Sequence, residues 1–410
     1  MSKINSITAR EIKDSRGKPT VEVELETDKG IFTASVASGA STGENEAIEL
    51  RDADGVGVQN AIKNINDIIA PKLIGKNPKD QKEIDELMIA LDGTENKSKL
   101  GANAILPVSM AICRAGATSQ KLPLYKYIAS LVGVKDPLKI PLAMFNILNG
   151  GKHAKNGLDI QEFMVVPQKV TFVENLVVCN RIFNNLKNLI AKDFGDDHLG
   201  LGDEGGFAPP VATAEQALYL LKNSVEKEDV VFALDCAASE FYKNGKYNIE
   251  GRELTKAELL DVYSSLIRNF NIISIEDPFE QNDWNGWESI VPACRQAGDK
   301  LGREIAIIGD DLTTTNINKI KEAHSKLACT GVILKLNQIG TVSETVEAGK
   351  MAKSFGWKTI VSHRSGETMD NFIADLAVGL GADFLKAGSP AKPERMVKYQ
   401  RLLEIEKELK

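Results

Sequence analysis

The sequence predicts an α/β protein: an irregular TIM-type α/β barrel over residues 136–410, preceded by a smaller N-terminal α+β domain over residues 1–135. Short β-rich runs recur between longer helical patterns after about residue 136. That alternation implies parallel strands joined by right-handed crossovers. About eight such runs in roughly 270 residues suit a closed barrel better than an open sheet. The first 135 residues mix strand and helix patterns without that regularity, so a chain of 410 residues divides into two domains.

In the N-terminal part, residues 20–27 (TVEVELET) and 31–37 (IFTASVA) alternate in the manner of strands. Asp28-Lys29-Gly30 between them is a hairpin signal. Residues 56–70, 81–91 and 102–119 have helical spacing of apolar positions. The last is rich in Ala and Gly, which suits close helix packing. The barrel strands are expected at 141–148, 161–167, 230–235, 272–276, 305–309, 331–336, 358–362 and 383–387. The first two leave no room for a helix between them, so the barrel should open on a hairpin and depart from a regular (βα)8 order.

Composition narrows the function classes. With 43% hydrophobic and 26% charged residues the chain reads as soluble and globular. A net charge of −7 gives no basic footprint for nucleic acid. No apolar run approaches the roughly 18 residues of a membrane span. The opening MSKINSITAREIKD has no apolar stretch of a secretion signal. Five scattered cysteines without a C-x-x-C imply buried thiols in a reduced, cytoplasmic setting. His198 and His324 read as surface residues, Trp284, Trp287 and Trp357 as packing, and the tail RLLEIEKELK, ending in Lys410, as a solvated amphipathic helix.

The informative pattern is where polar residues meet strand ends. The expected strands end in or carry Asp235, Glu276, Asp310-Asp311, Lys335, His363-Arg364-Ser365 and Lys386. In a barrel such ends share one mouth, where active sites lie. A lysine inside an apolar strand is costly to bury unpaired, so Lys335 and Lys386 need acidic or metal-bound partners. Asp235, Glu276 and Asp310 come from three consecutive strands. Hard oxygen ligands without Cys or His favour Mg²⁺ or Mn²⁺ over zinc; a plain salt-bridge network with the lysines is the alternative. Two further clusters are Asn149-Gly150-Gly151-Lys152-His153, followed by Gln161-Glu162, and Gly202-Asp203-Glu204-Gly205-Gly206. Residues 200–205 (GLGDEG) match G-x-G-x-x-G formally. They follow a polar segment and run into Phe207-Ala208-Pro209-Pro210, so the strand and helix of a dinucleotide site are missing. Residues 38–43 (SGASTG) read as a mobile loop, and there is no Walker A motif.

Taken in order, these stretches resemble the enolase family over essentially the whole chain. The matching segments include DSRGKPTVEVE (14–24), SGASTG (38–43), NGGKHA (149–154), QEFMVVP (161–167), GDEGGFAP (202–209) and ALDCAASE (233–240). SIEDPF (274–279), GDDLTTTN (309–316), LKLNQIGT (334–341), VSHRSGET (361–368) and LKAGSPA (385–391) complete the set. Departures fall at Ala37, Lys152, Lys155, Ala387 and Pro393. The resemblance implies a magnesium-dependent lyase of the cytoplasm that reversibly dehydrates 2-phosphoglycerate to phosphoenolpyruvate. It further implies two Mg²⁺ per site, with Mn²⁺ as a substitute, and a homodimer or larger ring.

A Lys or His base with Mg²⁺ on the developing charge is the known chemistry of that superfamily. Carried onto this chain, it makes Lys335 the general base, its pKa lowered by Mg²⁺ and Lys386. Asp235, Glu276 and Asp310 hold the first metal. Lys386 contacts the substrate carboxylate. Glu204 becomes the general acid with Glu162 beside it, and Gln161 lies with them at the substrate. Arg364 and Ser365 bind phosphate, with His363 at that end. Ser41 helps to bind a second metal and the substrate, and His153 approaches the leaving hydroxyl. The rival readings are an acid-sugar dehydratase or racemase on the same barrel, and a non-catalytic scaffold with a surface or assembly role.

Overall fold

The computed structural model describes residues 2–134 and 137–410. The expected domain boundary, between residues 135 and 136, lies outside the described residues. The chain opens with an antiparallel meander of β1 (Ile4–Lys13), β2 (Pro19–Thr27) and β3 (Gly30–Ser35). Val21, Val23 and Leu25 of β2 are fully buried, while Glu22, Glu24 and Glu26 alternate on the other face. The buried face packs on the Ala- and Gly-rich helix Ala102–Ser119. The sequence reading did not anticipate β1, because it buries only Ile4 and Ile7 fully and so carries little alternation. The expected helix at 56–70 is broken into Gln59–Lys63, a wider π turn Asn64–Ile69, and Ala70–Leu73.

The barrel contains β4 (Leu142–Asn149), β5 (Glu162–Pro167) and β6 (Val230–Asp235). A small sheet of β7 (Tyr242–Lys243), β8 (Lys246–Ile249) and β9 (Arg252–Leu254) follows; these strands are too short to have been legible in the sequence. The barrel resumes with β10 (Ile272–Glu276), β11 (Ala306–Gly309), β12 (Gly331–Leu334), β13 (Lys358–Ser362) and β14 (Phe384–Lys386). It closes in the order β10-β11-β12-β13-β14-β4-β5-β6. β5 is antiparallel to both neighbours, as the missing helix after β4 requires; the other pairings are parallel.

Period-two alternation aims the polar residues. The barrel interior is filled by Met144, Met164, Ala233, Ile308, Ile333, Ile360 and Phe384 among others. Two residues further toward the mouth stand Asn146, Glu162, Asp235, Asp310, Lys335, Ser362 and Lys386. Each therefore continues an inward-facing row. In antiparallel β5 the row runs toward the strand's start, which brings Glu162 to the same end as the others.

Two expectations are corrected. Strand β12 stops at Leu334, short of 336: the Lys335 backbone N–H donates to Thr315 Oγ1 (2.9 Å), outside the ladder, and a short helix Leu336–Ile339 follows. The C-terminal helix, Pro393–Leu409, is not simply solvated. Arg395, Lys398, Tyr399, Leu402 and Ile405 are buried against the barrel, while Lys410 is exposed. His324 is half-buried and stacked on Phe355 at 3.7 Å, whereas His198 is exposed. All five cysteines are buried and unbridged. Among the described residues no helix is long and apolar enough to cross a membrane.

Candidate active site

The barrel mouth holds a cavity lined by Ser41, His153, Gln161, Glu162, Glu204, Asp235, Asp310, Lys335, His363, Arg364, Ser365 and Lys386, together with Ala40, Ala237, Asp277, Asp311 and Ser362. Of the site residues expected from sequence, only Glu276 is not in its wall; it pairs with Lys386, which is. Lys386 Nζ sits 2.9 Å from Asp235 Oδ2, 2.9 Å from Glu276 Oε2 and 3.2 Å from Glu162 Oε1. Burial disfavours its charge, but these carboxylates, Asp235 foremost, outweigh that and raise its pKa far above the usual lysine range.

Lys335 pairs with Asp310 Oδ2, while Asp310 Oδ1 accepts from Gln338 Nε2 at 2.8 Å. Burial works against the Lys335 ammonium. The Asp310 carboxylate outweighs burial, and the pKa rises instead of falling as expected from the resemblance. Asp310 is drawn below the ordinary carboxylate range: burial opposes that, and Lys335 overrides it.

On the other side stand Glu162, Glu204 and His153. His153 Nδ1 lies 3.8 Å from Glu162 Oε1 and 3.7 Å from Glu204 Oε1. Asn146 Nδ2 donates to Glu204 Oε2 at 2.9 Å. Burial and the neighbouring Glu204 push Glu162 well above the carboxylate range. Glu204 is pulled well below it, against burial, by His363, His153 and Arg395. His363 has its own pKa pushed down to about 4, chiefly by burial. Of the two neighbouring carboxyls, Glu162 is the one favoured to hold a proton.

Arg364 spans the cleft between barrel and N-terminal sheet. Its guanidinium donates to Glu46 Oε2 (2.8 Å), Asn337 Oδ1 (2.9 Å) and the Ser41 carbonyl (2.9 Å). It lies so close over Gly39 that a Cβ there would collide with Nη2, which explains why the loop needs glycine at that point. Ser365 Oγ accepts from Arg16 Nη1 at 3.2 Å.

Sequence reasoning missed Asn146, Glu46, Gln338, Asp277 and Arg395. Asn146 was legible as the inward position after Met144. Asp277 takes a left-handed φ of 42° and accepts the backbone N–H groups of Asp310 (2.9 Å) and Asp311 (2.8 Å), fixing the turn that aims Asp310. Glu46 and Gln338 come from other elements, and no local pattern announces them.

Among the described residues two sets bring their potential ligand atoms within 4.8 Å of one another inside the set: His153, Glu162 and Glu204 in one, Asp277, Asp310 and Asp311 in the other. The sequence-derived set of Asp235, Glu276 and Asp310 is instead brought together around Lys386 and Lys335. Glu276 Oε1 and Glu162 Oε2 are buried with no hydrogen-bond partner. Orphaned carboxylate oxygens in an all-oxygen donor set fit a hard divalent cation.

The fold and this mouth define an α/β-barrel protein with buried acid and base groups gathered at its strand ends. A family model described as the enolase C-terminal TIM barrel domain matches residues 137–410, and one for the enolase N-terminal domain matches residues 4–128. The chain belongs to the enolase family.

Proposed function

We propose that this protein is a hydro-lyase that reversibly dehydrates 2-phosphoglycerate to phosphoenolpyruvate. The reading rests above all on where β12 and β5 stand. They lie four strands apart either way round the closed barrel. Lys335, just past β12, and Glu162, opening β5, therefore face each other across the cavity. A base on one wall and an acid pair on the other suit an elimination in which proton and hydroxyl leave opposite faces of the substrate.

Lys335 takes the proton from C2. The C–H electron pair becomes the C2–C3 double bond. The C3 hydroxyl departs as water with the proton held by Glu162 and Glu204, and His153 closes that side. Arg364 and Ser365 receive the phosphate, for which a planar guanidinium is well shaped. Gln161 and Lys386 orient the carboxylate end. Asp235, Glu276 and Asp310 would hold the cation, and Ser41 a second one. Held by these carboxylates, Mg²⁺ or Mn²⁺ would supply positive charge to the substrate carboxylate, and Asp310, engaged as a ligand, would no longer serve Lys335 as its sole counter-ion. In this reading residues 1–135 cap the site and 136–410 carry it, in a homo-oligomer of the cytoplasm.

The test is the ultraviolet absorbance of phosphoenolpyruvate growing in from 2-phosphoglycerate, with Mg²⁺ and with a chelator. Turnover that needs the cation supports the reading. Absence of turnover by Mg²⁺-loaded, folded protein refutes it.

A further inference from the structure

We infer that Arg395, on the C-terminal helix, is a positioning residue that fixes His363 as its Nε2-protonated tautomer and so makes it a neutral hydrogen-bond donor into the barrel mouth. Arg395 is fully buried. Its guanidinium reaches His363 Nδ1, the Arg364 carbonyl (2.6 Å), the Ser365 carbonyl (2.7 Å) and the Asp203 carbonyl (3.4 Å). An arginine side chain has only donors. The nitrogen facing it must therefore accept, so Nδ1 carries no hydrogen, and the ring hydrogen of a neutral imidazole sits on Nε2. The contacts to the consecutive carbonyls of Arg364 and Ser365 leave the guanidinium little freedom to turn away.

Nε2 points the other way, into the cavity, 3.3 Å from Glu204 Oε2, and is buried without a hydrogen-bond partner in the protein. A buried N–H left unsatisfied is costly and calls for an acceptor. An oxygen of the bound substrate is the acceptor this inference assigns. That identity rests on the reading proposed above; the tautomer does not. The groups facing the ring are Glu204, Arg395 and, further off, Lys386. Two cations and burial keep the ring uncharged near neutral pH, against the pull of Glu204.

The chain has four histidines, so two-bond ¹H–¹⁵N correlation of the full-length, histidine-labelled protein gives a readable spectrum, with the His363 signals assigned by their loss in His363→Gln. At pH near 7 the expected pattern is a bare Nδ1 and a protonated Nε2. An Nδ1-protonated ring, an imidazolium, or averaging between tautomers overturns the inference. In Arg395→Met the single tautomer should give way to a mixture, while Arg395→Lys, which keeps a donor, should retain it. A folded Arg395→Met protein with the wild-type pattern removes Arg395 as the cause. Should that variant fail to fold, the wild-type spectrum decides. None of these measurements requires turnover, so a protein inactive on 2-phosphoglycerate could still show the tautomer.

Discussion

Lys335 and Asp310 illustrate how a buried charge pair carries two roles at once. As a pair they satisfy each other, and the ammonium is then a poor base. A group that binds Asp310 frees the amine to titrate lower. Lys335→Ala should therefore abolish exchange of the substrate's C2 proton with solvent and lower turnover by on the order of 10²–10⁴-fold, with the far-ultraviolet circular dichroism unchanged. Persistent exchange would remove Lys335 from the base role. Glu204→Gln should leave that exchange running while dehydration slows; equal loss of both steps would count against Glu204 as a proton donor. His363 supplies a pH signature. Its pKa is about 4 in the folded protein against 6.5 for the free side chain, so between those values the unfolded chain binds the extra proton. The neutral ring's contribution is complete above about pH 6.5 and fades as pH falls toward 4, a loss of about 3 kcal/mol. Thermal melts from pH 7 to pH 4 should decline less steeply for His363→Gln than for the wild type, and parallel curves would contradict the buried neutral ring.

Strand register decided how much of this was readable beforehand. The eight barrel strands were legible because each is a short apolar run bounded by polar residues. The rows Ala233–Asp235, Ile308–Asp310, Ile333–Lys335 and Phe384–Lys386 then dictate which polar residues turn inward. The reversal of β5 followed from the missing helix after β4. The sequence suggests a solvated amphipathic helix for 401–410 alone, and no pattern in it announces the earlier turns of Pro393–Leu409 that carry Arg395 and Lys398. The charged residues of this helix in fact point both ways. Lys398 Nζ is buried against Glu367 Oε2 (2.7 Å), the Thr368 carbonyl (2.6 Å) and the Glu394 carbonyl (2.7 Å), and so ties the helix to the loop after β13. Partners more than 25 residues away leave no periodic trace, so neither this contact nor that of Arg395 could be foreseen. Lys398→Met strands a buried Glu367 carboxylate and should cost about 3–5 kcal/mol, measured as a lowered denaturation midpoint. A midpoint within error of wild type would show that water reaches Glu367.

The N-terminal sheet and the barrel are joined by polar contacts that end in the cavity. Ser38 bridges to Gly366. The Ala47 backbone N–H donates to the Gln338 carbonyl at 2.7 Å. Glu46 accepts from Arg364, and more loosely from Gln338 Nε2 at 3.4 Å. Since Gln338 also holds Asp310, the barrel-mouth carboxylate and the loop that carries Ser41 share a single chain of side chains. Farther out, Lys97 pairs with Glu344 at 3.0 Å and Arg114 with Asp370 at 2.8 Å. A cation on Asp235, Glu276 and Asp310 should therefore stabilise more than the barrel rim. A ligand held only by the native state at 100 times its dissociation constant adds about 2.7 kcal/mol. Titrating Mg²⁺ into chelator-treated protein should raise the melting temperature saturably, and it should slow amide hydrogen exchange in residues 38–47 as well as around β11. In Asp310→Asn both responses should shrink sharply, because the variant lacks one ligand charge and the partner of Lys335. A full melting shift in that variant would place the cation elsewhere, with Asp277, Asp311 or the Glu162–Glu204 pair as the next carboxylates to replace. A normal shift confined to the barrel, with residues 38–47 exchanging as fast as before, would uncouple the loop from the metal-binding end of the network.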